Sequence, residues 1–349
     1  MKLFVKVFLS LLVGTLCLWL AIRKMDLSAT ASVLRGLPLS AVLLYAATMV
    51  PTHLFRAWRW KYLLRPIGVS LSFRRLMIIS TVGFMAILAL PFRLGEFARP
   101  YYVVRGGQSR MSALLGTVAV ERIVDGLVIS ILFFVTYIWA NRGGGSGYSS
   151  VLAGAAWLSL IGFLSLTIFL ACALRWTDKT IRLVLAATLL RRLAPATAER
   201  VADKLRALIH GFRALHDARN MIPFLAQTML YWFSNGFGMW LLARDMQLAI
   251  PLTGAFAAMA FTGVLISLPN SPGLVGQFHA GVLIALGAYL PATTVSHFGG
   301  AYAIALHGIQ FVWYVGWGFL ALWAVGEGSH SLHTMVVESK RAVEEGEPS

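Results

Sequence analysis

Long apolar runs separated by short polar stretches dominate the pattern of the chain. About 20 consecutive apolar residues are needed to cross the hydrocarbon core of a bilayer as a helix. Six runs are long enough: 3–22, 38–55, 112–140, 151–174, 221–243 and 301–325. Two further runs, 76–92 and 251–290, are shorter or interrupted, because the first ends at Leu90-Pro91 and the second is broken by Pro269-Asn270-Ser271-Pro272-Gly273. The pattern predicts an all-α membrane protein.

The charges between the runs predict how the chain crosses the membrane. Residues 56–75 contain six Lys/Arg and no acid, residues 93–110 contain four Lys/Arg, and residues 175–219 contain ten. Stretches rich in Lys and Arg remain in the cytoplasm. The run 76–92 must then enter and leave the same face, and 251–290 must do so from the opposite face. We therefore expect about six full transmembrane helices plus two re-entrant helical hairpins; the alternative is that both runs simply span.

A short internal repeat favours the hairpins. The first half contains Leu90-Pro91-Phe92-Arg93-Leu94-Gly95-Glu96-Phe97, and the second contains Leu268-Pro269 followed by Gly276-Gln277-Phe278. Both consist of Leu-Pro, a spacer, Gly, then Glu or Gln, then Phe. Broken helices in inverted half-repeats that meet near the midplane are typical of secondary transporters. Irregular backbone at that depth is tolerated where it lines a cavity or packs in protein.

The domain organisation follows from these assignments. We predict one transmembrane domain over residues 1–325, with a first half at about 1–174 and a second half at 221–325. The basic connector 175–220 is expected to form one or two amphipathic cytoplasmic helices on the membrane surface, divided near Pro195. We expect residues 326–349 to form a flexible cytoplasmic tail, and the first run to be a retained helix rather than a cleaved signal peptide.

Composition narrows the function. The 349 residues are 58% hydrophobic and 13% charged, which excludes a cytosolic enzyme, and the net charge of +16 matches cytoplasmic loops facing anionic lipid rather than nucleic acid. No nucleotide-binding Gly-rich loop with Lys-Ser/Thr, no zinc motif and no serine-hydrolase motif occurs. We therefore expect no cofactor, no metal and no catalytic residues.

Charged side chains inside predicted membrane helices are the strongest functional signal, because each costs about 2.5–3.5 kcal/mol at a helix centre on insertion scales. Glu121, Arg122 and Asp125 lie in the run 112–140, and the two carboxylates share a helix face. They indicate either an ion pair that fixes the helix or a site for a proton or a headgroup. Both interpretations remain open, and one site can serve both.

A second group follows the first broken run. Arg93, Glu96 and Arg99 lie three residues apart and share one face if they are helical. Two arginines beside exposed amides suit phosphate, which a guanidinium binds through two parallel hydrogen bonds. The alternative is an interfacial arginine pair that contacts any anionic lipid.

The remaining candidates are weaker. Arg56 and Arg59 flank Trp58 and are expected to be interfacial anchors or headgroup contacts. The second half offers neutral polar contacts for a substrate at Asn270, Ser271, Gln277 and His279, and further residues that could line the same cavity at Tyr231, Trp232 and Asn235. A single histidine such as His279 is more often a hydrogen-bonded helix residue than a proton carrier.

Taken together, these motifs resemble one known family. The ordered set comprises Arg56-Ala57-Trp58-Arg59-Trp60, Leu90 to Glu96, Glu121-Arg122-Ile123-Val124-Asp125, and Pro269 to Gly276. It is similar to the flippase-like membrane domain of the lysylphosphatidylglycerol synthase transmembrane family over about residues 1–325. The resemblance implies a bacterial inner-membrane protein that moves lipid between leaflets. We expect the aminoacyl-transferase domain of the best understood members to be missing, and His279 occupies a position where the family usually has Glu.

The sequence hypothesis is therefore a lipid transporter or flippase in the bacterial inner (plasma) membrane, with both termini cytoplasmic. Its substrate is expected to be an anionic or aminoacylated phospholipid, or a lipid-linked headgroup, that passes through a polar cavity. Arg93 and Arg99 would hold phosphate, while Glu121 and Asp125 would balance Arg122 or receive a cation or proton. The alternatives are a membrane scaffold that partners a lipid-biosynthesis enzyme, and a membrane-embedded transferase acting on a polyprenyl or glycolipid substrate. A homodimer is a further expectation.

Overall fold

The structure is a computed structural model, and it describes residues 12, 14–19, 22–23, 25–89, 95–107, 109–142, 150–188, 195–210, 212, 217–267 and 271–324. All regular secondary structure in this part of the chain is helical. The labelled helices are α1 Leu27–Arg35, α2 Leu39–Trp58, α3 Trp60–Leu64, α4 Phe73–Ala89, α5 Ala98–Val104, α6 Met111–Arg142, α7 Ser150–Arg175, α8 Thr177–Ala187, α9 Pro195–His210, α10 Ala218–Asp245, α11 Leu252–Ser267, α12 Gln277–Leu286 and α13 Gly300–Ala324. Short helical turns lie at Arg65–Ile67, Pro272–Leu274, Ala292–Thr294 and Val295–Gly299, and residues 14–19 and 95–97 are also helical.

Three of the described helices are long and apolar enough to cross a bilayer: Met111–Ala140, Leu152–Arg175 and Ala292–Ala324. A fourth crossing results if Leu27–Arg35 and Leu39–Ile67, which are bent by 85° relative to each other, are counted as one span. Helix α10 covers the predicted run 221–243 but does not meet the same criterion. The all-helical membrane class is confirmed. Most of the predicted first run, 3–22, and the predicted tail lie outside the described residues.

Helices α4 and α5 form an antiparallel hairpin. A Cβ placed on Gly95 would lie 2.1 Å from the carbonyl carbon of Ala86, and one placed on Gly83 would lie 2.3 Å from Cγ of Arg99. Near the open end, a Cβ on Gly106 would lie 2.2 Å from Nη2 of Arg75. As the residue number rises along α4, the number of the residue that it contacts in the returning segment falls. The two segments, which are the limbs of the hairpin, are therefore antiparallel. Glycine at these positions lets the limbs approach closely.

The sequence prediction for this hairpin was wrong in one respect. We expected the run 76–92 to enter and leave the membrane by itself, with 93–110 as a cytoplasmic loop. Instead α4 is one continuous helix of 17 residues. The returning limb comes from the predicted loop, where residues 98–103 are all buried. At 1.5 Å per residue, 17 helical residues extend about 25 Å, which leaves no chain for a return within the run.

A second antiparallel hairpin consists of α11 and α12. A Cβ on Gly281 would lie 2.7 Å from Oγ1 of Thr262, and one on Gly254 would lie 3.3 Å from the ring of Tyr289. The described residues between the limbs include Gly273 and Gly276, with φ of 67° and 87°. These positive φ angles are readily adopted by glycine and explain its use at this break. The prediction that 251–290 is broken in its middle is confirmed.

The described part of the connector contains two amphipathic helices. Helix α8 buries Ile181 and Leu185, while α9 begins at Pro195 and buries Ala198 and Ala202. Proline is favoured in the first turn of a helix because its missing N–H has no intrahelical partner there. The expected division near Pro195 is therefore confirmed for the described residues. The position of these helices on a membrane surface stays a prediction.

Packing of the long helices brings the charged segments together. Helix α2 packs along α10, α4 along α13, and α6 along α11. Helix α2 ends at Trp58 and α3 begins at Trp60, so Arg59 lies at the junction between the two helices. The indole Nε1 of Trp60 donates to Oγ1 of Thr117 on α6 (3.0 Å), which fixes this junction against α6. Arg59 is therefore directed towards the acidic face of α6.

Candidate functional site

A cavity of about 320 Å³ lies between the two hairpins and helices α6, α7, α10 and α13. Phe84 and Leu88 of the first hairpin contribute to its wall, as do Thr262 and Phe278 of the second. Its charged and amide-bearing lining residues, with one histidine, are Arg56, Arg122, Asp125, Asn235, His307 and Gln310. The rest of the wall is largely aromatic and aliphatic. Such a pocket, with few polar groups in an apolar wall, is typical of a ligand-binding cavity.

Arg59 makes the best-defined ion pair beside this cavity. Its Nη1 donates to Oδ1 of Asp125 (2.6 Å), and its Nη2 donates to Oδ2 of the same carboxylate (2.7 Å). The Nη1 group also donates to Oγ1 of Thr228 on α10 (3.1 Å). Arg59 has no exposed surface. A bidentate arginine–carboxylate pair of this kind joins α2, α6 and α10 with defined geometry.

Glu121 lies between three guanidinium groups. Its Oε2 accepts from Nη1 of Arg99 (3.0 Å), and its Oε1 accepts from Nη2 of Arg59 (3.1 Å) and from Arg122. Glu121 and Arg99 are both fully buried. The first hairpin is thereby attached to α6 through Arg99, since this arginine belongs to the returning limb α5.

Arg122 completes the network on the cavity side. Its Nη2 lies 3.2 Å from Oδ2 of Asp125, and its Nε lies 3.7 Å from Oε1 of Glu96. The side chain of Arg122 is 24% exposed, in contrast to the fully buried Arg59 and Arg99. Three arginines therefore face three carboxylates, and Arg122 is the cation of this set that reaches the cavity.

The network explains how the membrane interior accommodates these charges. Removing one member of a buried ion pair costs about 3–5 kcal/mol, because the other member remains uncompensated. Glu121 and Asp125 lie four residues apart, so both carboxylates project from the same face of α6 towards Arg59. The spacing in the sequence predicted the shared face. It did not predict that Arg59 and Arg99 are the partners.

The interfacial-anchor prediction is wrong for Arg59, since a fully buried, ion-paired side chain cannot contact a headgroup at a membrane surface. Arg99 was expected to hold phosphate, but its side chain is also fully buried and binds Glu121 in this structure. Arg93 lies outside the described residues. Glu96, which the sequence grouped with Arg93 and Arg99, lies near Arg122, a pairing that the sequence did not predict.

Arg56 occupies a different environment from Arg59. Its guanidinium carbon lies 4.1 Å from the ring centroid of Phe84, 5.5 Å from that of Tyr314 and 5.8 Å from that of Tyr231. The side chain is half-buried and lines the cavity. A guanidinium over an aromatic face is stabilised by the ring quadrupole. Of the two arginines of this motif, Arg56 is therefore the one that remains a candidate for headgroup contact.

The polar side chains of the second hairpin mainly form hydrogen bonds within the hairpin. The Ser271 backbone N–H donates to Oε1 of Gln277 (3.1 Å), and the Ser271 hydroxyl donates to the carbonyl of Val275 (2.6 Å). His279 lies edge-on to His307, with ring centroids 4.9 Å apart. None of Ser271, Gln277 and His279 is among the described residues that line the cavity. The structure therefore does not place these three side chains at this cavity, and their contact with a substrate stays a prediction. Asn270 lies outside the described residues.

The expectation for helix α10 agrees with the structure. Tyr231, Trp232 and Asn235 all line the cavity. The indole Nε1 of Trp232 also donates to Oδ1 of Asp125 (3.2 Å), so this helix contributes to the charge network. Asn235 follows Trp232 by three positions and Tyr231 by four, so it lies on the same face of α10 as each of them.

Three cavity residues on α13 were missed by the sequence analysis: His307, Gln310 and Tyr314. His307 lies 2.7 Å from the carbonyl of Gly273, and Gln310 donates to the Tyr45 hydroxyl (2.6 Å). A usable signal was present, since the three residues are spaced by three and four positions in an otherwise apolar run. That spacing places them on one helix face.

Among the described residues, no group of three or more His, Cys, Asp or Glu side chains is arranged to hold a metal ion. The chemical capacity of the site rests on guanidinium groups, carboxylates and hydroxyls. It can bind charged groups and hydrogen-bond polar ones within an apolar surround.

The helices and the interior charge network define a polytopic α-helical membrane protein with a polar cavity. The chain belongs to the lysylphosphatidylglycerol synthase TM region family, whose model matches residues 7–318. This confirms the family that the sequence motifs indicated, and it links the protein to lipid handling. A comparison with curated proteins finds no match.

Proposed function

We propose that the protein moves a phospholipid or a lipid-linked headgroup between the two leaflets of a membrane. The observation that carries this proposal is the cavity of about 320 Å³ to which both helical hairpins contribute and which contains Arg56, Arg122 and Asp125. Broken or hairpin helices around a polar interior site are a recurring arrangement in transporters. The cavity would receive the headgroup.

An apolar groove beside the cavity favours a lipid over a water-soluble substrate. This lateral groove, of about 390 Å³, lies between α2, α4 and α13 and includes Leu54, Met77 and Trp317. Leu54 and Trp317 are 37% and 48% exposed, as expected for side chains that face hydrocarbon. His53 of the groove stacks on Tyr314 of the cavity with ring centroids 5.8 Å apart. Acyl chains would remain on the groove side while the headgroup is in the cavity.

The finer topology belongs to the same proposal. Each hairpin would enter and leave the same membrane face, from opposite sides in the two halves, alongside about six complete spans. The basic stretches would lie in the cytoplasm with both chain termini, and the membrane would be the bacterial inner membrane. We propose transport rather than catalysis, and a lipid-biosynthesis enzyme and a second copy of the chain remain proposed partners.

A transport assay with a matched pair of variants tests the proposal. The purified protein is reconstituted in vesicles that contain fluorescent phosphatidylglycerol or phosphatidylcholine, and the fraction of probe that becomes accessible to a membrane-impermeant quencher is followed. Asn235→Trp would fill the cavity, so we expect transport to fall to the level of protein-free vesicles. Met229→Trp adds the same ring on the same helix at a position that is 46% exposed, and it should retain wild-type transport.

Either of two results would contradict the proposal. If vesicles with wild-type protein move neither probe faster than protein-free vesicles do, the proposed transport of these lipids is refuted. Asn235→Trp protein that is folded and transports like wild type would show that the headgroup does not use this cavity. Neutralising Glu121 is a less informative test, because it removes the partner of three guanidinium groups and so affects folding as well.

A further inference from the structure

The charge balance around the cavity singles out Arg56. Within the described residues, Arg59, Arg99 and Arg122 are paired with Glu96, Glu121 and Asp125. Arg56 makes no ion pair with any described residue, and its Nε is buried without a hydrogen-bond partner there. Three positive charges thus balance three negative ones. Arg56 adds an uncompensated positive charge at the cavity wall.

Its surroundings make this charge available to a ligand. Phe84, Tyr231 and Tyr314 contact the guanidinium as aromatic neighbours, which hold its position without neutralising its charge. Arg122 lines the same cavity, so two guanidinium groups border a space in which Asp125 is the lining carboxylate. Two like charges facing one low-polarity space favour an anion between them.

The phenol groups provide a second, independent observation. Tyr231 and Tyr314 are 6% and 8% exposed, and both line the cavity. No hydrogen bond joins either hydroxyl to a described residue, and neither hydroxyl is among the buried atoms that lack a partner, so both can donate to a group in the cavity. A tetrahedral phosphate offers several acceptor oxygens, which can accept from the forked N–H groups of arginine and from hydroxyls together.

We propose that Arg56, with Tyr231, Tyr314 and the exposed edge of Arg122, forms a binding site for a phosphate group in the central cavity. This site rests on the proposed function, since the phosphate would be that of a lipid headgroup whose acyl chains extend towards the lateral groove. Arg56 thus takes the phosphate-binding role that the sequence led us to expect for Arg99, whose side chain binds Glu121 instead. The site selects phosphate over an uncharged headgroup, whatever alcohol the phosphate bears.

Binding is measured without transport, so that this inference and the proposed function can fail separately. Detergent-solubilised protein is titrated with phosphatidylglycerol, phosphatidylcholine, diacylglycerol and glycerophosphate, and bound molecules are counted by native mass spectrometry. We expect both phospholipids to bind at least about tenfold more tightly than diacylglycerol, because charged hydrogen bonds contribute roughly that factor or more. Glycerophosphate, which has no acyl chains, should bind weakly.

The variant Arg56→Gln should lose that preference, binding both phospholipids about as weakly as it binds diacylglycerol. Arg56→Lys should recover only part of it, since an ammonium lacks the planar fork. Arg65→Gln removes an exposed arginine outside the cavity and controls for general attraction to anionic lipid. A folded Arg56→Gln protein that binds phospholipid like wild type would overturn the site. Tight, Arg56-dependent binding of glycerophosphate would keep the phosphate site but overturn its lipid source.

Discussion

Arg59→Gln is expected to lower the stability of the protein by about 3–5 kcal/mol, the cost of leaving a buried charge without its partner. The substitution removes both hydrogen bonds to Asp125 and the one to Glu121, and it leaves Thr228 without its donor. Arg122 and Trp232 still contact Asp125, but neither forms the bidentate pair. Among the substitutions considered for the charge network, this one should have the largest effect.

Thermal unfolding of the detergent-solubilised protein measures this effect. For a chain of 349 residues, a loss of that size corresponds to a fall in the midpoint of roughly 4–7 °C. Arg65→Gln is the matched control, because the side chain is exposed, and such changes usually remain within about 0.5 kcal/mol. The double variant Arg59→Gln with Asp125→Asn should be less destabilised than the sum of the single variants, because the two groups are paired. A midpoint within 2 °C of wild type for Arg59→Gln would refute the importance of this ion pair, since a shift of that size reflects less than about 1.5 kcal/mol.

Gly95→Ala is expected to open the first hairpin. Its new Cβ would lie 2.1 Å from the carbonyl carbon of Ala86 and 2.1 Å from the backbone nitrogen of Ile87. Backbone atoms cannot rotate away as a flexible side chain can, so one limb must move. We expect a cost of about 3 kcal/mol or more, at the upper end of the effects of overpacking.

Two measurements are needed for this prediction. Thermal unfolding gives the loss of stability, and deuterium uptake in residues 98–104 reports whether the returning limb has separated from α4. Gly308→Ala is the control, since a Cβ at Gly308 has no atom within 4 Å and alanine is favoured over glycine in a helix by about 0.5–1 kcal/mol. Equal stability and equal uptake for Gly95→Ala and wild type would contradict the close contact between the limbs.

The apolar pattern predicted much of the fold. Runs of the length of 112–140 and 151–174 leave little alternative to a helix in lipid, and the structure contains α6 and α7 there. The Leu-Pro repeat falls between α4 and α5 in the first half and between α11 and α12 in the second, and the re-entrant layout stays a prediction. The limits of the first hairpin were not predicted, because α5 is short and contains the charged Arg99, while Glu96 lies just before α5. Hydropathy therefore assigns this segment to a loop. Burial of that segment depends on Glu121, which hydropathy cannot represent.

The candidate site was predictable in its residue types but not in its pairings. The sequence identified Glu121, Arg122 and Asp125 because charges inside an apolar run are conspicuous. The sequence could not show that Arg59, rather than Arg56, faces these three residues. Both arginines lie near the end of α2, and only the direction in which each side chain projects distinguishes them. That direction is set by the junction at Arg59 and by the bond from Trp60 to Thr117. Both are tertiary contacts, which a sequence pattern alone does not reveal.

The attachment of Arg99 to Glu121 has a consequence for biogenesis. The ribosome delivers the returning limb of the first hairpin before α6, so Arg99 reaches the translocon before its carboxylate partner has been synthesised. An arginine without a partner is costly in hydrocarbon. We therefore expect the limb to remain at the aqueous or interfacial side and to enter its final position after residue 121 has emerged. On this expectation, the ion pair between Arg99 and Glu121 would set the order in which the first hairpin and α6 assemble in the membrane.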